Sequence, residues 1–156
     1  MIRFLRAPIV VLCLLAFLLS LSYSFYFRVK PGVDARTYDD IGWNLAQGFG
    51  YRVSLDAPAE LDHSIIYSGP GYELFLAGVY RIFGHRYEPV WVLQSLFHAL
   101  SAFLIYLISR RVFRRQWSDG LGLLAAAFVG FSPDLITNAS LLLTENFAIF
   151  LMLTAI

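Results

Sequence analysis

Charge is scarce in this sequence. Asp, Glu, Lys and Arg together make up 15% of its 156 residues, and the formal net charge is +1. So weak a field excludes the electrostatic footprint of a nucleic-acid-binding protein. Cysteine is nearly absent as well. Cys13 stands alone inside an apolar run, so no disulfide framework can form, and no Cys/His cluster has zinc-ligand spacing. What fills the chain instead is apolar: 58% of residues are hydrophobic and the mean hydropathy is +0.64, the composition of a membrane protein.

Residues 7–27, "APIVVLCLLAFLLSLSYSFYF", follow Arg3 and Arg6 and contain no charge. At 1.5 Å per residue they reach about 31 Å, enough to cross a bilayer. The apolar core of a cleaved signal peptide is shorter, and this run continues into Tyr23, Phe25, Tyr26 and Phe27, aromatics suited to the headgroup level. A retained anchor is therefore expected. A second uncharged run, residues 89–109, is followed by Arg110, Arg111, Arg114 and Arg115, which mark the cytoplasmic side. The N-terminus and the loop 110–118 are then inside. Residues 28–88, with eight acids against six bases, form an outer loop. A third, short span is expected over 119–133, stopping at Pro133, and a fourth over about 137–156. The chain stops within this apolar stretch, the pattern of a fragment.

Within the outer loop, Tyr38, Ile41, Gly42 and Leu45 fall at helical spacing. Thr37 and Asp40 have a capping-box pattern, and Gly48 is a natural stop, predicting a helix over 35–47. From Tyr72, the residues Phe75, Leu76, Val79, Tyr80 and Phe83 continue one wide apolar face, predicting a helix over 71–83 with Glu73 and Arg81 on the opposite face. Both helices are too short to cross a membrane and are expected to lie along its surface. Between them, Asp62 and His63 sit in a loop of little periodicity, and adjacent residues on an extended chain point apart, a poor geometry for joint acid/base or metal work. In the second span, His98 lies one turn from Gln94 and reads as a polar contact between helices. The overall expectation is an all-α fold, a polytopic helical membrane protein with two amphipathic interfacial helices in its first outer loop.

Three stretches resemble a known family. The first is Asp34 and Tyr38 followed by Asn44, Leu45, Gly48, Gly50 and Tyr51, directly after the first span. The second is Pro70, Gly71 and Tyr72, then Phe75, Leu76, Ala77, Tyr80, Phe83 and Gly84. The third is Pro133 ending a short span, with Thr144 and Glu145 opening the next. In order and spacing these are similar to the N-terminal part of GT-C superfamily membrane glycosyltransferases, the bacterial group related to protein O-mannosyltransferases and lipid A aminoarabinose transferases.

The resemblance implies transfer of a hexosyl or pentosyl unit from a polyprenyl-phosphate-linked donor to a glycan, lipid or protein acceptor, on the outer side of a bacterial inner membrane. It implies Asp34 as the catalytic aspartate, a general base placed at membrane level because the donor is anchored there. Asp39, Asp40 and Glu145 are the candidate second acids, and Tyr38, Asn44 and Tyr72 the candidate substrate contacts. It fixes no cofactor, although a divalent cation would be compatible with it. In some relatives an Asp-Glu doublet occupies the first site, whereas here Asp34 is followed by Ala35. The contrasting reading is a small non-catalytic membrane protein whose outer helices bind a partner or membrane lipid.

Overall fold

A computed structural model describes residues 6–56 and 69–156, and the described residues form helices and connecting turns with no strand. The elements are α1 (Arg6–Phe27), α2 (Val33–Gln47), α3 (Pro70–Phe83), α4 (Tyr87–Val112), α5 (Arg115–Gly130), α6 (Pro133–Asn138) and α7 (Glu145–Thr154). They divide into two compact units, one made of residues 6–28, 91–140 and 144–156, the other of residues 29–56 and 69–90 with 141–143.

In the first unit, α1 and α4 are the helices long and apolar enough to cross a membrane. Ala7–Phe27 has a mean hydropathy of 2.3 and Tyr87–Val112 of 1.7. Small residues set how closely helices approach here, because lipid tails give no hydrophobic drive between apolar helices and contact area must do the work. A Cβ on Gly130 of α5 would lie 3.2 Å from Ala16 Cβ of α1 and 3.6 Å from Ala102 Cβ of α4. Ile9, Ala102, Tyr106 and Ala126 form the buried cluster around this crossing. The opposite side of α1 leaves Val10, Leu14, Leu15 and Leu18 exposed, a lipid-facing composition.

His98 bridges to a helix other than its own. Its Nε2 lies 3.1 Å from the Val129 carbonyl oxygen on α5. A carbonyl only accepts, so Nε2 carries the proton. The contact is the polar one between helices that the residue type promised, but its acceptor is backbone across the bundle.

In the last third of the chain the helices are shorter than the expected spans or shifted from them. α5 starts at Arg115 and stops at Gly130, and Pro133 then opens α6, since proline suits a first helical turn but cannot donate within a helix. The expected helix over 137–156 is broken. α6 ends at Asn138, Leu142 takes a positive φ of 53°, and α7 begins only at Glu145. The Asn146 side-chain amide donates to the Leu135 carbonyl at 2.9 Å, tying the start of α7 back to α6.

In the second unit, α2 and α3 pack directly on each other. Gly42 makes this possible, because a Cβ there would sit 2.7 Å from Leu76 Cβ. α2 starts two residues earlier than expected, and its first turn is not closed by a capping box. The N-cap is Gly32 with no side-chain bond, and Thr37, already inside the helix, donates its hydroxyl to the Val33 carbonyl. Gly48, at φ 84°, closes α2 as expected, its N–H directed at the Asn44 and Leu45 carbonyls.

Candidate active site

The acid-rich helix α2 places its three carboxylates in three different environments, and helical geometry explains the sorting. Successive side chains turn by about 100° along the helix, so residues 34, 39 and 40 face different directions.

Asp39 points into the α2–α3 contact and is buried, with 5% of its surface exposed. Its Oδ1 accepts from the Tyr80 hydroxyl at 2.6 Å and faces His85 Nε2 at 2.8 Å, while its Oδ2 accepts from the Tyr87 hydroxyl at 2.7 Å. A carboxylate only accepts, so both phenols donate and His85 presents its Nε2–H. Short O–H···O⁻ bonds of this kind are the strong, charge-assisted class. Trp43, one turn along α2, lies flat on the His85 ring, with centroids 4.7 Å apart and planes 9° from parallel. The Tyr80 hydroxyl is pushed well above the ordinary tyrosine range, first by burial and then by the Asp39 charge. Asp39 is therefore a knot binding α2, α3 and the first residue of α4. With both oxygens occupied, it is poorly disposed to take a proton from a substrate.

Asp40 turns the other way and is half-buried. Burial, followed by the Asp39 charge, raises its pKa; the charges of Arg36 and His85 pull in the opposite direction without cancelling the rise. A carboxyl whose folded pKa is raised is penalised once it ionises, so its contribution to stability falls as pH rises through that value and vanishes where both folded and unfolded states are protonated. Asp40→Asn, which cannot ionise, should therefore raise the thermal midpoint at pH 7. The gain should disappear near about pH 3, below the ordinary carboxylate range. Melting curves of both proteins across that interval test this, and a gain independent of pH would rule out ionisation as its source.

Asp34 lies in the first turn of α2, seven positions past the end of α1, and is exposed. Among the described residues it has no hydrogen bond or ion pair. Tyr38, one turn on, meets Tyr72 of α3 edge to face at 5.7 Å, so two of the three residues expected to contact substrate do lie together. Tyr72 is nevertheless buried, at 3% exposure. Asn44, the third, is committed to the fold. Its amide donates to the Arg52 carbonyl at 2.8 Å and the Val53 carbonyl at 3.3 Å, folding the chain after Gly48 back along α2. Glu145 belongs to the other compact unit, as the first residue of α7.

Glu73 overturns one expectation. Expected on the face of α3 opposite the apolar stripe, it is instead fully buried, and among the described residues neither carboxylate oxygen has a hydrogen-bond partner. Residues 73, 76, 77 and 80 make one stripe at helical spacing, and the stripe packed inward includes the acid. Phe83, assigned to the apolar face, is instead half exposed. His85 and Tyr87, central to the Asp39 knot, carried no signal in the sequence, lying 46 and 48 positions from their partner. Asp62 and His63 lie outside the described residues. Among the described residues no three His, Cys, Asp or Glu side chains gather as a metal site.

Among the described residues two helices have the length and apolar composition of membrane spans. The family model for dolichyl-phosphate-mannose-protein mannosyltransferase matches residues 62–156. The chain belongs to that family, and by membership it is a membrane glycosyltransferase of the GT-C type. The matched stretch begins after α2, so it covers α3 to α7 and leaves Asp34, Asp39 and Asp40 outside it. No curated protein and no solved structure gives a significant match.

Proposed function

We propose that the protein transfers a sugar from a polyprenyl-phosphate-linked donor to an acceptor hydroxyl on the outer side of a bacterial inner membrane, with Asp34 as general base. The N-terminus and the arginine turn 110–118 lie inside in this reading. The observation that carries the choice of base is the contrast within α2. Asp39 has both oxygens engaged, one by buried Tyr80 and the other by half-buried Tyr87, whereas Asp34 is exposed, uncommitted among the described residues, and close behind the first span in sequence. In the reaction the acceptor oxygen attacks the anomeric carbon from the side opposite the phosphate. Its proton passes to the Asp34 carboxylate, the bond from the anomeric carbon to the phosphate oxygen breaks, and the polyprenyl phosphate leaves with the electron pair. The anomeric configuration inverts. A carboxylate helps most when held at the depth of the reacting carbon, which a lipid-anchored donor confines to the membrane surface. Tyr38, beside Asp34 on the helix surface, offers a ring against which a sugar can pack.

Membranes containing the protein, supplied with labelled sugar on polyprenyl phosphate or on a nucleotide, test the donor class. Label is expected to move to acceptor from the lipid-linked donor alone. Transfer only from the nucleotide donor would overturn the reading.

A further inference from the structure

The last turn of α4, the link after it and the first residue of α5 carry Arg110, Arg111, Arg114 and Arg115 within six positions. Such a cluster at the end of a span ordinarily sets orientation and requires no ligand. Here the geometry adds three features. A cavity of about 380 Å³ opens at the turn, lined by Leu107, Arg110, Arg111, Phe113 and Ser118. Arg110 is held in place, its Nε donating to Asp119 Oδ1 at 2.7 Å and its guanidinium lying 5.5 Å from the Tyr106 ring centre. Arg111 is exposed and has no ion pair among the described residues, so the pocket keeps an uncompensated positive charge.

A further feature is the neighbour of that cavity. Phe113 also walls an apolar groove of about 460 Å³, shared with Ile105, Leu121, Leu124 and Phe128. Leu124 and Phe128 are 68% and 84% exposed. A basic pocket at the boundary of a span, sharing one aromatic wall with an apolar groove, is complementary to an amphiphile with an anionic head and a hydrocarbon tail.

We propose that the pocket and groove together bind one anionic membrane phospholipid, its phosphate on Arg110 and Arg111 and an acyl chain along Phe113, Leu124 and Phe128. Asp119 tethers Arg110 by Nε and leaves its other N–H groups for the phosphate, while Arg111 supplies the unbalanced charge. The site rests on the chain being a membrane protein and is independent of the sugar-transfer reading.

Native mass spectrometry of the full chain in mild detergent, titrated with phosphatidylglycerol or phosphatidylcholine of identical acyl chains, tests it. Phosphatidylglycerol should bind as a single tight adduct and phosphatidylcholine more weakly. Arg111→Gln should weaken the phosphatidylglycerol adduct about five-fold, and the double change with Arg110→Gln about 25-fold, from the usual worth of an arginine at an anionic lipid surface. Arg110→Gln also breaks the Asp119 pair, so Arg111→Gln is the variant whose folding is not at stake. Arg114→Gln, on the same turn but outside the pocket lining, should leave binding within about two-fold. Leu124→Asn in the groove should weaken it. Equal adducts of both lipids, equal loss in Arg114→Gln and Arg111→Gln, no loss in Leu124→Asn, or displacement of the lipid by millimolar inorganic phosphate would each overturn the proposal.

Discussion

Asp34→Asn is expected to lower sugar transfer by roughly 10²- to 10⁴-fold, the usual worth of a positioned general base, with membrane insertion and the melting curve unchanged. The substitution keeps shape and removes only the ability to take a proton. Asp34 is exposed and engages no other side chain among the described residues, so nothing in the packing of α2 on α3 depends on it. That separation makes the measurement decisive: a fall in turnover without a fall in stability is the signature of a chemical role. Unchanged transfer from the lipid-linked donor would remove Asp34 from the mechanism, leaving the donor class to be judged by its own assay.

Asp39→Ala should do the opposite, destabilising the unit built on α2 and α3 by about 2–5 kcal/mol. The cost arises in what is left behind. Tyr80 is 1% exposed, and its hydroxyl would lose the acceptor it now meets at 2.6 Å, while Tyr87 and His85 would lose theirs. Tyr80, stranded away from water in this way, carries most of the cost, whereas half-buried Tyr87 and exposed His85 can turn partly to solvent. Tyr80→Phe removes one donor and leaves the carboxylate with two, so its cost should be smaller, about 1.5–3 kcal/mol. The fluorescence of Trp43, stacked on His85, gives a local probe of the melt. A wild-type melting curve for Asp39→Ala would show that the knot contributes nothing to stability, and Asp39 would then return as a candidate acid.

The pairing of these two substitutions tests a distinction that the sequence could not make. Asp34, Asp39 and Asp40 are equivalent as letters: short acids on one amphipathic helix. Chain order put all three behind the first span, and helical periodicity said that they face differently, but neither identified the face that meets α3. That depended on Gly42, where the absence of a side chain lets Leu76 approach, and on Tyr80, His85 and Tyr87 arriving from more than forty positions away. Glu73 shows the same limit from the other side. An acid beside an apolar stripe is expected to turn outward, and tertiary packing turned this one in.

Where the signal is local, the sequence was sufficient. An uncharged run of 21 residues has one economical fate in a bilayer, because its backbone can satisfy itself only as a helix, and α1 follows that rule from Ala7 to Phe27. Gly48 closes α2 because a left-handed residue is needed there and glycine supplies it without strain. Pro70 opens α3 and Pro133 opens α6 because proline is tolerated only in a first turn. Composition, run length and these stops determined that the described chain is helical, that it carries two apolar helices of spanning length, and where α1, α2 and α3 end. Tertiary structure alone decided which aspartate is locked by three donors and which is left exposed, that the last apolar stretch breaks around Leu142, and that Phe113 lines both a pocket among the arginines and an apolar groove. The physical reason is one of range. Helix formation is decided by contacts within a few positions, whereas burial of a charge and the shape of a cavity are decided by whichever distant segments fill the remaining space.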